Sequence, residues 1–176
     1  MKALTFIVVS VILMLAFSQV DEESCYFPNP DPNPDELASF TTFDPLIQVP
    51  DSWFWNDVNG TDFLTLVRNQ FDPIRCGSCW AFAAVSALSD RIKIMRKAEW
   101  PDYDLSPQVL LSCAQRSRGC NGGDAGVGYA YIYNYGITHE SCSNYQARGW
   151  NNGIGCSAEI KCQTCDSDGT CSVPES

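Results

Sequence analysis

The hydrophobic positions of this chain repeat most clearly at helical spacing in one stretch near its middle. The apolar side chains that recur there are Trp80, Ala84, Ala87, Leu88, Ile92 and Met95. A stripe of this kind predicts an amphipathic helix, which we expect to run from Ser78 or Cys79 to about Lys97. Basic side chains occupy its last turns, where they suit the negative end of the helix dipole.

Two shorter helices are predicted after this one. Ser106 followed by Pro107 indicates a helix start, because serine caps a first turn and proline fits within it. That helix should end near Cys113. A tyrosine-rich helix is expected over residues 123–135, with Gly136 as its stop.

The flanking segments show no helical period. Residues 52–55 are aromatic and strand-like, and a turn is expected at Asn59-Gly60. From Arg148 onward the chain has four cysteines within residues 156–171 but no periodic apolar core. We therefore expect disulfide bonds, rather than packing, to hold that region.

The first 48 residues resemble segments that are removed from a mature protein. Residues 4–17 form an apolar run with a small-x-small cleavage pattern at 16–18, which predicts a signal peptide over 1–18. A membrane anchor is the alternative, but 14 residues are few for a bilayer and acids follow them. Residues 19–48 are predicted to be a short, acidic, proline-rich propeptide, and residues 49–176 the globular part.

Charge separates the same segments. The formal net charge is −10, and residues 19–67 contain ten acids and no lysine or arginine, whereas residues 68–176 are close to neutral. The chain has no basic stripe with interleaved aromatic side chains, so its composition argues against a nucleic-acid partner. We expect the acidic stretch at 21–44 to be solvated.

The secretory route decides how the ten cysteines are interpreted. Outside the cytosol thiols pair, so an even number predicts a disulfide framework. Full pairing would, however, leave no thiol for chemistry. The same route makes Asn59-Gly60-Thr61 a candidate glycosylation acceptor, with Asn59 as the modified residue.

The pentapeptide Cys76-Gly77-Ser78-Cys79-Trp80 is the strongest chemical signal in the chain. Cys79 falls at the N-terminus of the predicted main helix, where about half a positive charge favours a thiolate over a thiol. Such a cysteine is a candidate nucleophile. Gln70 lies nine residues upstream, and its side-chain amide is a candidate donor to a developing oxyanion.

Three ordered blocks resemble papain-like cysteine peptidases: Gln70 with residues 76–82, the pattern at 105–113, and Cys120-Asn121-Gly122-Gly123. The gap at 71–75 is longer than in papain and is similar to that of the cathepsin X (cathepsin Z) subfamily, whose members are carboxypeptidases. The resemblance covers roughly residues 46–171. It implies an α+β papain-like fold, of which this chain holds mostly the helical domain, with the β-rich second domain absent.

The resemblance also implies roles for individual residues. Cys79 would be the nucleophile, and Gln70 would form the oxyanion hole together with the Cys79 N–H. Gly122 and Gly123 would bind substrate. The implied disulfides are Cys76–Cys120, Cys113–Cys156, Cys142–Cys162 and Cys165–Cys171.

Two cysteines remain, and the resemblance implies a bond between them in the precursor. Cys25 lies in the predicted propeptide, where Cys25-Tyr26 resembles the start of the subfamily's short proregion. A Cys25–Cys79 disulfide would keep the zymogen inactive, and removal of the propeptide would release the reactive thiol. We expect this bond to act as a redox-labile latch.

The chain departs from the family pattern in its acid–base partner. A papain-like thiolate needs a histidine roughly 130–150 residues further on, oriented by Asn or Asp, but only 97 residues follow Cys79. The single histidine, His139, falls in a loop where the subfamily has no catalytic group, and we expect it to be a surface residue. The chain is therefore either a fragment of a peptidase or a truncated, inactive relative that acts as a decoy or binding partner.

A second departure concerns specificity. Where the subfamily has a histidine that holds a substrate's C-terminal carboxylate, this chain has Phe71. Arg75, at the end of the same loop, is a candidate replacement because its guanidinium can donate to a carboxylate. Both residues are therefore expected to lie in the substrate-binding region of a carboxypeptidase.

Two other interpretations of the chain's function rest on its C-x-x-C pairs, Cys76/Cys79 and Cys162/Cys165. A thiol–disulfide oxidoreductase would need a βαβ pattern around the first pair, which is missing. Zinc binding is disfavoured because the two pairs lie more than 80 residues apart in sequence and because the secretory route is oxidising. We expect no metal or other cofactor, peptide or protein substrates, no membrane association after signal cleavage, a monomeric state, and a lysosomal or extracellular location.

Overall fold

Three α-helices form the centre of the fold in the computed structural model, which describes residues 26–29 and 48–172. The first helix, α1, spans Cys79–Met95 and confirms the main predicted helix. It ends before the predicted Lys97, because Lys97 adopts a positive φ of 56° that no α-helix accommodates. The predicted signal peptide, most of the predicted propeptide and Cys25 lie outside the described residues.

The second and third helices also agree with their predicted signals. Helix α2 spans Pro107–Cys113, and the Ser106 hydroxyl accepts a hydrogen bond from the Val109 amide at 3.3 Å. Helix α3 spans Ala125–Tyr135, where the Asp124 carboxylate accepts from the Gly126 amide and so sets the start. Gly136 follows with a φ of 74°, which confirms it as the stop.

The remaining elements are short. A 3₁₀ turn spans Trp150–Asn152 and α4 spans Ala158–Lys161. Strands β1 (Thr164–Cys165) and β2 (Cys171–Ser172) pair antiparallel, with Cys165 opposite Cys171.

The prediction of a strand at residues 52–55 is wrong. The chain turns there instead, with the Asp57 amide donating to the Phe54 carbonyl at 3.1 Å, and Trp53 packs edge-on against Trp55. Aromatic residues suit a strand when a neighbouring strand pairs with them. In the part of the chain that the structure describes, no strand pairs with this segment, although the Phe63 amide donates to the Trp55 carbonyl at 2.9 Å. The turn at Asn59-Gly60 is confirmed, since Val58 and Thr61 form a mutual bridge across it.

The core lies where α1 meets α2 and α3. Its buried side chains include Trp80, Ala84, Val85, Leu110, Leu111 and Val127. Gly128 permits the close approach of α3, because a Cβ there would lie 3.1 Å from the Ala84 Cβ. The apolar stripe of α1 is buried only in its first half, and Met95 is exposed, so the core packs around the N-terminal end of this helix.

Three disulfides join the helices to the loops around them: Cys76–Cys120, Cys113–Cys156 and Cys142–Cys162. They match three of the four implied pairings. The last two connect α2 and the 139–142 turn to the region after residue 148, where apolar packing is sparse. Within the described ranges, no helix combines the length and apolar character that a membrane span requires.

Candidate active site

Cys79 is the first residue of α1, and its side chain is half-buried. Ser78, which precedes it at the N-cap, is fully buried but makes no side-chain capping bond to the helix. The Ser78 backbone carbonyl accepts from the Ala81 and Phe82 amides, but its hydroxyl caps none of the first-turn amides. Cys79 therefore lies at the positive end of the helix dipole, a position that generally favours the thiolate form of a cysteine.

A disulfide and two hydrogen bonds seat the pentapeptide on the loop that follows α2. Cys76 is bonded to Cys120, and the Gly77 amide donates to the Cys120 carbonyl at 2.7 Å. A Cβ at Gly77 would lie 2.6 Å from that oxygen, so the approach requires glycine. On the other side, Trp80 Nε1 donates to the Gly119 carbonyl at 3.1 Å. The loop therefore fixes both flanks of the candidate nucleophile.

Gln70 lies beside the same pentapeptide. Its side-chain Nε2 donates to the Cys76 carbonyl at 3.3 Å. Two residues earlier, Arg68 forms a salt bridge with Glu140 and donates to the Leu105 carbonyl at 2.9 Å. The segment that leads to Gln70 is thus anchored to the loop before α2 and to the loop after α3. The two predicted catalytic residues, Gln70 and Cys79, therefore lie on adjacent segments.

Tyr145 contacts both of these segments, and the sequence analysis assigned it no role. Its hydroxyl donates to the Gln70 carbonyl at 2.7 Å and lies 2.7 Å from the Ser78 hydroxyl. Its ring packs edge-on against Phe82 of α1, with centroids 4.8 Å apart. Nothing in the sequence around Tyr145 indicates a contact with residues 67 and 75 positions away.

The loop at 71–75 is exposed at the surface next to Gln70. The Phe71 side chain is 54% exposed, and the Arg75 guanidinium lies 5.9 Å from the centroid of its ring. The two residues that the sequence analysis named for substrate specificity are therefore neighbours, and Phe71 orients the arginine by a cation–π contact.

The two glycines named for substrate binding, Gly122 and Gly123, are buried. Residues 26–29 lie along Gly123: Tyr26 forms a parallel bridge with it, and the Phe27 amide donates to its carbonyl at 3.0 Å. Arg118 stacks over the Phe27 ring at 4.0 Å. A segment of the predicted propeptide thus occupies the edge of this glycine pair.

Asp124 ties the same propeptide segment to helix α3. One carboxylate oxygen caps α3, and the other accepts from the Asn29 amide at 3.1 Å. The sequence analysis overlooked Asp124 and Arg118 as contacts of the propeptide. An aspartate just before a helix signals only a cap, because its second oxygen finds its partner 95 residues away in sequence.

His139 is held within its own loop. The Ser141 amide donates to its Nδ1 at 3.1 Å, its backbone pairs with Leu105, and its ring lies against Tyr103. All these contacts are with the loops that flank α2 and α3.

The disulfides remove the basis of the two C-x-x-C readings. Cys76 is bonded to Cys120 and Cys162 to Cys142, so neither motif keeps two thiols that could ligate zinc or exchange with each other. No cluster of three or more His, Cys, Asp or Glu side chains suited to a metal ion occurs within residues 26–29 and 48–172.

Comparison with known proteins decides the family. A profile of the papain family cysteine proteases matches residues 49–175. The chain belongs to this family. Papain-family peptidases are therefore its relatives in sequence.

Individual relatives match only in part. Cathepsin Z of Onchocerca volvulus is 45% identical over 117 residues, which cover 66% of this chain and 37% of that protein. Papain of Carica papaya is 36% identical over 100 residues, or 57% of this chain and 26% of papain. This papain-family chain thus spans about a third of the length of these relatives.

A solved structure supports the fold assignment. The digestive procathepsin L2 proteinase from the larval midgut of Tenebrio molitor is 28% identical, with a TM-score of 0.55 over 66% of this chain and 34% of that chain. The papain-like fold, represented here by its helical part with three disulfides, agrees with the fold class implied by the sequence.

Proposed function

We propose that Cys79 is the nucleophile of a peptide-bond hydrolase and that Gln70 helps to form its oxyanion hole. One observation supports this most directly. Cys79 begins a 17-residue helix, and the Gln70 side-chain amide donates to the Cys76 carbonyl in the same pentapeptide. Membership of a peptidase family supports peptide or protein substrates. No metal or other cofactor enters the proposed reaction.

In this reaction the Cys79 thiolate attacks the carbonyl carbon of a peptide bond, and the carbonyl oxygen becomes an oxyanion. The Cys79 backbone N–H and the Gln70 side-chain amide donate hydrogen bonds to that oxygen. The amine leaves with a proton from an acid–base partner, and a thioester remains on Sγ. Water then attacks the thioester carbonyl and releases the carboxylic acid.

The nucleophile can be tested without turnover, by the pH dependence of alkylation. In the full chain with Cys25→Ser, we expect the rate at which iodoacetamide modifies Cys79 to reach half its maximum at a pH below about 8.5, the ordinary pKa of cysteine. The reason is that the helix dipole stabilises the thiolate. The Cys79→Ala variant is the control for labelling of other sites. A half-maximal rate at or above pH 8.5 would contradict an activated nucleophile.

The acid–base partner divides the proposal in two. His139 is held in its loop by Ser141, Tyr103 and Leu105, which supports a base other than His139. In one case a base other than His139 serves Cys79 and the protein is an active peptidase. In the second, no base serves Cys79, and the protein binds peptides as an inactive decoy or binding partner.

Hydrolysis separates these two cases. We expect the expressed 176-residue chain to cleave a fluorogenic peptide no faster than its Cys79→Ala variant, because a thiolate without an acid–base partner cannot protonate the leaving amine. Cleavage that depends on Cys79 would instead favour the active peptidase. A His139→Ala variant of that active protein should retain its rate.

We further propose carboxypeptidase action, with Arg75 holding the C-terminal carboxylate of the substrate. The support is the position of Arg75 in the loop next to Gln70 and its contact with Phe71, which limits the conformations of the guanidinium. An arginine of this kind pairs well with a carboxylate because both groups are planar and can form two hydrogen bonds.

The cellular proposal is entry to the secretory route, followed by residence in the lysosome or the extracellular space as a monomer. Asn59 supports it as a glycosylation site, since it is exposed at the tip of a tight turn with a φ of 54°. Treatment of secreted protein with a glycosidase should lower its mass, and Asn59→Gln should abolish the difference. An unchanged mass in both forms would contradict the modification.

A further inference from the structure

We infer that Tyr145 is a positioning residue that holds the two sides of the oxyanion hole in register. The inference rests on the proposed function of Cys79 and Gln70. The Tyr145 hydroxyl is bonded to the Gln70 carbonyl on one side and to the Ser78 hydroxyl on the other, each at 2.7 Å. It therefore joins the residue that offers the amide donor to the residue that precedes the nucleophile.

The direction of these two hydrogen bonds follows from their chemistry. A carbonyl oxygen can only accept, so the Tyr145 proton points to Gln70. A hydroxyl has a single proton, so Ser78 must donate to the Tyr145 oxygen. Capping would use a lone pair of the Ser78 oxygen rather than its proton, so the lack of a side-chain cap from Ser78 to α1 is independent of this bond. The result is an ordered chain of two hydrogen bonds, from Ser78 through Tyr145 to Gln70.

Hydrogen bonds fix the backbone on both sides of Tyr145, so that its side chain can hold Gln70 and Ser78 in place. The buried Ser106 hydroxyl donates to the Ser143 carbonyl at 2.6 Å, and the Gln146 amide donates to the buried Gln108 side chain at 2.9 Å. These bonds hold the backbone on both sides of Tyr145 to the start of α2.

The other end of the side chain is held by α1. Phe82, one turn after Cys79, packs against the Tyr145 ring at an interplanar angle of 77°. Helix α2 therefore sets the position of the Tyr145 backbone, and α1 sets the position of its ring. Gln70 lies in an irregular segment with no helix or strand of its own, so a bond from a rigid tyrosine is an effective way to place it.

The Tyr145→Phe variant tests this role, because it keeps the ring and removes only the hydroxyl. All variants are made in the full chain with Cys25→Ser, and two probes are compared by calorimetry. One is a peptide aldehyde, which forms a hemithioacetal with Cys79 and places its oxygen at the oxyanion hole. The other is the matching peptide alcohol, which has the same side chains but forms no covalent adduct.

We expect Tyr145→Phe to weaken aldehyde binding by about 10-fold, since a displaced donor loses part of the 100-fold or larger effect of a deleted one. Alcohol binding should stay within about 2-fold of the unchanged chain, because noncovalent binding leaves no oxyanion to stabilise. Ser78→Ala should shift the aldehyde affinity in the same direction. Tyr129→Phe, on the core side of α3, is the matched control and should change neither probe.

The outcomes separate the two levels of the proposal. If the unchanged chain binds the aldehyde more tightly than the alcohol and Tyr145→Phe keeps this preference, the positioning role alone is overturned. An equal loss of both probes in Tyr145→Phe also overturns it, because that pattern indicates general loss of structure. If the unchanged chain binds aldehyde and alcohol equally, the nucleophile itself is overturned, and the positioning role with it.

Discussion

Specificity is decided at the scale of single residues. Phe71 and Arg75 occupy the exposed loop beside Gln70, and the arginine stacks against the phenylalanine. The apolar ring cannot bind a carboxylate, but it can hold the guanidinium that we propose binds it. The pair thus explains how a site without a histidine at position 71 would still recognise a free C-terminus.

The Arg75→Ala variant tests this explanation. We expect it to weaken binding of a peptide with a free C-terminal carboxylate by about 5-fold, since an exposed charge pair contributes at most about 1 kcal/mol. Binding of the same peptide with an amidated C-terminus should not change. Calorimetry in the Cys25→Ser chain measures both.

Arg91→Ala provides the matched control, because Arg91 is an exposed arginine on α1 outside the loop. It removes the same charge and should leave both affinities unchanged. Equal weakening of the two peptides by Arg75→Ala would refute a role in carboxylate recognition.

Helix caps show how an element can serve two purposes at once. The Ser106 hydroxyl accepts from Val109 to begin α2, and it donates to the Ser143 carbonyl in the loop before Tyr145. The Ser157 hydroxyl begins α4 in the same way, through Ile160, but this serine is exposed. The two serines therefore differ in burial and in the partner of their second hydrogen bond, which is the buried Ser143 carbonyl for Ser106 and the exposed Glu159 carboxylate for Ser157.

This difference predicts unequal losses of stability. Ser106→Ala should lower the free energy of unfolding by about 2 kcal/mol or more, because it removes a cap and leaves a buried carbonyl without its donor. Ser157→Ala should cost about 0.5–1 kcal/mol, because its cap and its bond to Glu159 are both at the exposed surface. Urea unfolding with the disulfides intact measures both, and equal losses would show that the second bond of Ser106 contributes nothing.

At the scale of the whole molecule, residues 26–29 of the predicted propeptide meet the globular part at the candidate site. Tyr26 pairs with Gly123, and Gly123 packs so closely against Trp80 that a Cβ on it would lie 2.8 Å from the indole. Cys25 precedes the first of these residues and Cys79 precedes the last. This chain of contacts supports the proposed Cys25–Cys79 bond, although Cys25 itself lies outside the described residues.

Mass spectrometry of the precursor without reduction tests the latch. We expect a peptide pair that joins Cys25 to Cys79, and we expect mild reduction to release it before Cys76–Cys120, because Tyr26, the neighbour of Cys25, is exposed whereas Cys76 is buried. The Cys76–Cys120 pair serves as the internal reference. Recovery of Cys25 as a free thiol would refute the latch.

The molecule also exposes many apolar side chains on the segment that leads to the site. Leu66, Val67, Trp53 and Phe54 are all more than half exposed, and Val67 is 92% exposed. Exposed apolar surface of this kind marks contact with another polypeptide segment. It agrees with the expectation that a papain-like helical domain packs against a β-rich partner.

The elements of this protein could be read from sequence because their signals are local. The Ser106-Pro107 start, the Gly136 stop and the apolar stripe after Cys79 each act within a few residues, and the structure confirms them. The strand expected at 52–55 failed because a strand depends on a partner that the segment itself does not encode.

The sequence by itself determined the family, the candidate nucleophile and the glutamine beside it, because motif spacing along the chain reflects chemistry that needs those side chains in that order. Only the tertiary structure decided how the site is assembled. Tyr145 meets Gln70 across 75 residues, and Asp124 meets Asn29 across 95. Contacts at such separations arise from packing of the whole chain, so no local pattern records them.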